Sequence, residues 1–306
     1  MTVWSSVPLP HGLWRDGVRH GDAALRPVTG ADELFLLEEA AALSKAARVT
    51  GLLARCVGRI GDIADPAPAD VRALSVGDRE ALLLHLRRIS FGSRIDCVAN
   101  CPADGCGEPM DLSFEVADLL VPPVQEQAVQ EQAVQEQADG QVGETAVAEV
   151  AQAGADWRVA YRAPAGADQE AVAALARTDP AAAAHTLLDR CVVSVADPQG
   201  VPVPRDAALP ALERLLPELM SRRDPQAEIR LSLDCPACGH WFEILFDTAD
   251  FLVAELAARG RSIFDEVHLI ARHYHWAEAE ILSLSAGRRR RYLSLIVDDL
   301  SAEGRA

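Results

Sequence analysis

Two short segments of the chain each carry a pair of cysteines in the same pattern. The first, residues 101–120, reads CPADGCGEPMDLSFEVADLL, and the second, residues 235–252, reads CPACGHWFEILFDTADFL. After the second cysteine of each pair the segments align without a gap, so that Gly107 corresponds to Gly239. Chance does not readily produce such agreement, and the pattern indicates two copies of one hairpin.

The Cys-Pro-x-x-Cys-Gly turn of the second copy is typical of a zinc knuckle, and both cysteine spacings are usual for zinc ligands. Two knuckles supply four thiolates, which Zn²⁺ binds tetrahedrally in closed structural sites. The sequence therefore predicts one structural zinc ion per chain, bound by Cys101, Cys106, Cys235 and Cys238. Reduced thiols without a metal are an open alternative. Disulfides are a weaker one, because seven cysteines is an odd number.

The other cysteines and the nearest histidine have simpler interpretations. Cys97 lies four residues before Cys101, where the second copy has Leu231, so we expect it at an apolar, core-facing strand position. Cys56 is expected to be a small core residue. His240 follows the second knuckle, but its counterpart in the first copy is a glutamate, which argues against a ligand role.

No second group of residues predicts chemistry. His268, His273 and His275 lie near Glu266, but the first two histidines are five residues apart and do not share a helix face. The sequence contains no HExxH, GxSxG or GxGxxG motif and no phosphate-binding glycine loop. We expect no enzyme, no catalytic residue and no small-molecule substrate.

Composition excludes several classes of protein. The 306 residues carry a net charge of -17 and only 5% aromatic residues, which disfavours a nucleic-acid surface. Lys45 is the single lysine, so neither Schiff-base chemistry nor a phosphate-loop lysine is expected. The sequence has no apolar run of the length of a signal peptide or a membrane span. These features predict a cytoplasmic protein that contacts neither membrane nor nucleic acid.

The elements around the cysteines are expected to be mainly helical. Residues 1–95 are predicted as a helical region after a polar start, with helices over 31–47, 49–60 and 75–89. The first knuckle hairpin, 96–120, follows. The predicted fold class is α+β, mainly α-helical, in which a split, zinc-ribbon-like pair of hairpins encloses a helical insertion.

The insertion between the hairpins has two parts. Residues 121–156 contain three successive VQEQA repeats, Val124 to Ala138, and are predicted to be a low-complexity linker without a binding role. Residues 157–228 are predicted to be a small folded unit that begins with a strand, WRVAYRAP, and continues with helices over 179–192 and 207–220. Zinc at the two knuckles would hold this long loop closed, where a metal clip contributes most.

The C-terminal region, 253–306, follows the second hairpin, 229–252, and is predicted to be helical, with a last helix over 286–300. It combines aromatic residues with a dense positive patch on an otherwise acidic chain. We therefore expect it to contact a partner subunit. The candidate contact residues are Trp276, Arg288, Arg289, Arg290, Arg291 and Tyr292.

Several segments together resemble the bacteriophage base plate proteins of contractile phage tails and phage-tail-like injection systems. They are LRPVTGADE, GDREALLLHLRRISFG, the two cysteine hairpins, WRVAYRAPAGAD, and DEVHLIARHYHWAEAEILSL with the following RRRRYLSLI. The resemblance covers most of the chain except the VQEQA repeats. It implies a structural or assembly component of a baseplate or its hub, with other baseplate or tail subunits as partners. The alternative is a zinc-ribbon regulatory or nucleic-acid-binding protein.

Overall fold

The structure, a computed structural model, describes residues 3–122, 145–152, 155–260 and 262–303. These residues form α-helices and four small antiparallel sheets. The α+β class predicted from the sequence is therefore confirmed. The VQEQA repeats lie outside the described residues.

The N-terminal region contains a four-stranded sheet in the order β1-β2-β3-β4. Its strands are β1 (Ser5–Arg15), β2 (Val18–Leu25), β3 (Val57–Ile60) and β4 (Ile63–Ala64). The prediction of a mainly helical region after a polar start missed these strands. Pro8, Pro10 and Gly12 break the alternation that marks a strand, and the β1–β2 register shifts between Pro8 and Leu13. The inward side chains are nevertheless fully buried, Leu9 among them.

The helices of this region are α1 (Gly30–Glu38), α2 (Lys45–Cys56), α3 (Pro68–Ala73) and α4 (Val76–Phe91). The single helix predicted over 31–47 is wrong beyond α1, because Ser44 caps a new helix by accepting a hydrogen bond from the Ala47 amide. The helix predicted over 49–60 begins earlier, at Lys45, and its last four residues form β3. Helix α4 agrees with the prediction to within two residues.

The first hairpin consists of β5 (Arg94–Asn100) and β6 (Pro109–Glu115), followed by the short helix α5 (Val116–Leu119). The inserted unit has a three-stranded sheet of β7 (Ala146–Gln152), β8 (Ala155–Tyr161) and β9 (Val192–Ala196), with helices α6 (Gly166–Val172), α7 (Pro180–Cys191) and α8 (Arg205–Arg223). Strand β7 lies in the segment predicted to be linker. It pairs with β8 along its whole length. Its sequence is rich in small residues and gives no clear period-two alternation that would predict a strand.

The second hairpin consists of β10 (Arg230–Asp234) and β11 (Trp241–Leu245), followed by α9 (Thr248–Gly260). The chain continues with α10 (Ile263–Tyr274), α11 (Glu278–Leu282) and α12 (Ala286–Glu303). Within the described ranges, no helix has the length and apolar character needed to cross a membrane.

The largest core joins the first sheet to α2, α4 and α9. Leucines of α4 fill its centre, and Leu252 and Leu256 of α9 reach it from the other end of the chain. A second core lies inside the inserted unit, and a third lies beneath the two hairpins. The two hairpins are thus attached to one body, which fixes the direction in which their cysteines point.

Candidate metal centre

Each knuckle is a tight turn between two paired strands. In the first, the amide of Cys101 donates to the Glu108 carbonyl at 2.9 Å, and in the second, the amide of Cys235 donates to the His240 carbonyl at 3.0 Å. Gly107 has φ +63° and Gly239 has φ +71°, with open space around both. Glycine is needed there for its backbone conformation, which other residues adopt only with strain.

The two hairpins meet through equivalent residues. Phe114 in β6 and Phe246 directly after β11 occupy matching sequence positions, and their rings contact each other edge to face with centroids 5.4 Å apart. Met110 and Phe242 are buried beside the cysteines, with the half-buried Leu112, Leu233 and Ile244 packed against them. This apolar floor keeps the turns of the two hairpins side by side.

The four cysteine sulfurs form one compact group, in which all Sγ atoms lie within 4.8 Å of one another. The closest pairs cross between hairpins: Cys101 to Cys238 at 3.7 Å and Cys106 to Cys235 at 3.8 Å. Tetrahedral zinc with Zn–S bonds of about 2.3 Å requires sulfurs about 3.8 Å apart. The group therefore has the dimensions and the donor type of a four-thiolate metal site, and none of its sulfurs is in a disulfide.

Burial and electrostatics differ among the four cysteines. Cys101 and Cys235 are 4% and 2% exposed, whereas Cys238 is on the surface. Burial raises the pKa of the Cys101 thiol to about 12. The backbone amides of Cys238 and Ala237 point at the Cys235 sulfur and lower its pKa to about 7. The lowered pKa favours the thiolate form of Cys235, which is the form of cysteine that binds a metal cation.

Two neighbours of the site were assigned other roles. Cys97 lies in β5 opposite Leu112, on the same strand face as the buried Ile95. It is half-buried and not part of a sealed core. The His240 ring stacks on Phe242 with centroids 5.9 Å apart. Among the described residues, the four cysteines are the one group with the spacing of metal ligands.

The aromatic residues of the predicted partner contact pack on one another. Tyr274, Trp276 and Tyr292 form a cluster with ring centroids 4.9 to 5.4 Å apart, at the junction of α10, α11 and α12. Trp276 and Tyr292 are half-buried there. The cluster is continuous with the small apolar core of the C-terminal helices, whose buried members are Ile270, Ile281 and Ile296.

The four consecutive arginines of α12 do not form one surface. Arg288, Arg290 and Arg291 are exposed and form no ion pair with described residues. Arg289 is 1% exposed and pairs with Glu33 at 2.6 Å and Glu266 at 2.7 Å. Its place in the predicted contact patch is corrected, because the helical period turns one arginine in four toward the protein interior.

The residues that sequence reasoning missed are the buried charges that join segments distant in the chain. Asp32 and Asp168 are 0% and 1% exposed, and each is bound by two arginines. A signal was present: RPVTGAD at residues 26–32 and RAPAGAD at residues 162–168 are a second repeated pattern. A search for internal repeats beyond the cysteine segments finds it.

Comparisons with known proteins agree with these observations. The family model described as T4 bacteriophage base plate protein matches residues 16–204, well over half of the chain. The matched residues include the first hairpin and most of the inserted unit, and end before the second hairpin. A search of curated proteins and a search of solved structures gave no match. The chain belongs to the family of T4 bacteriophage base plate proteins.

Proposed function

We propose that the protein is a structural or assembly component of the baseplate of a contractile phage tail-like particle, which acts through protein contacts and is stabilised by one zinc ion. The family match over residues 16–204 carries the first part. The four sulfurs within 4.8 Å of one another carry the second. In this proposal the hairpins are the halves of a split zinc ribbon, and no catalytic step is involved.

Zinc would act as a clip between distant parts of the chain. Cys101 and Cys238 are 137 residues apart, and Cys106 and Cys235 are 129 residues apart. Closing loops of this length in an unfolded chain costs conformational entropy, and a metal ion that binds only the folded state offsets that cost. The zinc therefore contributes to stability rather than to chemistry.

The metal proposal is tested by elemental analysis of the purified protein. We expect one zinc per chain in the wild type and none in the Cys235→Ser/Cys238→Ser variant. The thermal midpoint of the variant should fall by about 10 °C, since losing a structural zinc costs several kcal/mol. Cys97→Ser is the matched control, because Cys97 lies in the same hairpin but outside the sulfur group, and it should keep its zinc. A wild type without metal and as stable as the double variant would contradict the proposal.

The surface proposed to contact another baseplate subunit comprises the half-buried Trp276 and Tyr292 and the three exposed arginines of α12, Arg288, Arg290 and Arg291. The protein has a net charge of -17, so this local positive patch is suited to an acidic surface on its neighbour. Arg289 is excluded from the face because it is buried.

The baseplate role is tested by deleting the gene and examining the particles. We expect no complete baseplates by electron microscopy, and recovery when the wild-type gene is restored. When the gene of the Arg288→Ala/Arg290→Ala/Arg291→Ala variant is supplied instead, few complete baseplates should form. A variant that loses three exposed arginines elsewhere, Arg88→Ala/Arg177→Ala/Arg214→Ala, should recover fully. Normal particles without the gene would refute the role.

A further inference from the structure

A loop in the N-terminal half, residues 26–33, is organised around one buried carboxylate. Asp32 accepts hydrogen bonds from Arg26 at 2.6 and 3.0 Å, from Arg55 at 3.1 Å and from the Thr29 amide at 2.9 Å. The Arg26 amide donates to the Cys56 carbonyl at 3.0 Å, which ties the loop to the end of α2.

The same arrangement recurs in the inserted unit at residues 162–169. Asp168 accepts from Arg162 at 2.5 and 3.0 Å, from Arg190 at 2.9 Å and from the Ala165 amide at 3.0 Å. The Arg162 amide donates to the Cys191 carbonyl at 2.9 Å. The two arginines and the backbone amide around the carboxylate of the first loop, and the carbonyl that holds the loop, thus each have a counterpart in the second, while the Thr29 hydroxyl, which also donates to Asp32, has none at Ala165.

The two loops also dock on matching helix starts. Thr29 forms a β-bridge with Ser285, and the Gly30 amide donates to the Leu284 carbonyl at 3.1 Å. In the second loop, Ala165 forms a β-bridge with Ser75, and the Gly166 amide donates to the Leu74 carbonyl, also at 3.1 Å. The two segments on which the loops dock have similar sequences, LSAGRR at 284–289 and LSVGDR at 74–79.

An arginine completes each docked segment. Arg289 and Arg79 are both 1% exposed, and each lies over the glycine of its loop. A Cβ atom on Gly30 would lie 3.0 Å from the Arg289 guanidinium, and one on Gly166 would overlap the Arg79 guanidinium. The close approach of an arginine therefore leaves little room for a side chain at either position, and backbone conformation does not require glycine there, since neither residue has a positive φ.

Apart from β4, α3 and α5, the elements of the two units follow the same order in the chain. β1, β2, α1, α2, β3, α4, β5 and β6 are followed by β7, β8, α6, α7, β9, α8, β10 and β11 in the same order. The second unit docks its loop on α4 of the first unit. The loop of the first unit is instead filled by the start of α12, from the C-terminal segment 262–303.

We propose that residues 262–303 are a docking arm, and that loop 26–33 is a socket for a helix that begins with Leu-Ser-x-Gly-x-Arg. The arm presents to the first unit the same surface that α4 presents to the second. The partner that the socket fits is this chain's own arm. The function of the Arg-rich segment in this interface is intramolecular and separate from the proposed baseplate contact.

Arg289 forms the charged contacts between the arm and the socket. Its guanidinium bridges Glu33 of the socket and Glu266 of the arm, and also donates to the Leu284 carbonyl at 2.8 Å. In the second loop, Gln169 occupies the sequence position of Glu33. The hydrogen bonds of Arg79 among the described residues go to the carbonyls of Val71 and Ala46. Removing Arg289 would leave the buried Glu33 without its counter-ion, and an unpaired buried carboxylate destabilises the docked state.

To test this, a specific protease site is placed between Gly260 and Ser262 of the whole protein and cut. Gel filtration then shows whether the arm still elutes with the rest of the protein. We expect the cut arm to stay bound in the wild type. It should bind at least tenfold more weakly in Arg289→Ala, and normally in Arg288→Ala, which changes the exposed neighbour. The double variant Ala286→Val/Arg288→Asp gives the arm the six residues of α4, Leu-Ser-Val-Gly-Asp-Arg, and should keep the arm bound.

A second measurement separates undocking from general unfolding. Hydrogen exchange in Arg289→Ala should increase in α1 and α12, while α6 and the start of α4, which form the other joint, stay protected. An arm that leaves the cut wild type, an arm retained equally by Arg289→Ala, or loss of the arm in the grafted variant would each overturn the proposal. None of these readouts depends on zinc or on particle assembly.

Discussion

The buried carboxyl group of Asp78 lies where β1, α4 and the end of α8 meet. One of its oxygens accepts the amides of His11 and Gly12 at 2.8 and 3.3 Å, and the other has no hydrogen-bond partner. Asp224 is buried next to it and caps α4 through the Gly77 amide at 2.9 Å. Burial, with a further contribution from Asp224, raises the pKa of Asp78 to about 6.

This shift predicts the sign of a pH effect. A carboxyl whose pKa is higher in the folded state stabilises the fold while it is protonated, and that contribution is lost as pH rises through about 6. Asp78→Asn keeps an acceptor for both amides but removes the charge. At pH 8 it should be more stable than the wild type by about 1–3 kcal/mol, and at pH 5 by about half as much, because the carboxyl of the unfolded chain, with its ordinary pKa of about 4, is still ionised there. Urea unfolding at both pH values measures this, and a variant less stable at pH 8 would contradict it.

At the scale of elements, the two docking joints differ in how much room their glycines have. The added Cβ of Gly166→Ala would meet several atoms of the Arg79 guanidinium, whereas that of Gly30→Ala would contact Arg289 and Leu282 only at 3.0 Å. We expect Gly166→Ala to lower the free energy of unfolding by about 2–3 kcal/mol and Gly30→Ala by less. Gly287→Ala, where nothing lies within 4 Å, should have little effect or stabilise α12 slightly. The three thermal midpoints should rank in this order, and equal values for the first and third would count against the joint.

The sequence predicted elements with a clear hydrophobic period and missed those defined by distant partners. Helix α4 was identified from its run of leucines, and the structure adds the Ser75 side chain as its N-terminal cap. Strands β1 and β7 were missed because prolines, glycine and small residues carry no period-two signal, and their pairing supplies the order. The four cysteines were placed together because the same spacing recurs, while the burial of Arg289 depends on Glu33, at a distance of 256 residues in the chain.

For the whole molecule, the described contacts hold the two units together independently of the segment between Pro122 and Thr145. The Val121 amide donates to Gln226 at 2.7 Å, and Gln226 is itself 0% exposed. The only lysine, Lys45 in α2, pairs with Asp247 and Asp250 after the second hairpin, both at 2.6 Å. Together with the cysteine group and the two docking joints, these contacts connect the units at several separate places.

We therefore expect the protein to remain in one piece after a specific protease cuts a site placed among the VQEQA repeats. The fragments should elute together at the volume of the intact chain, because many contacts made at once have a high effective concentration. A chelator should lower the thermal midpoint of the cut protein without separating the fragments, since the docking joints remain. Adding Arg289→Ala should leave this association intact. The socket lies in the first fragment and α12 in the second, but their joint is only one of several contacts between the fragments. If the cut fragments separate before any metal is removed, the repeats hold the units together, and the interface between them is weaker than its buried charges indicate.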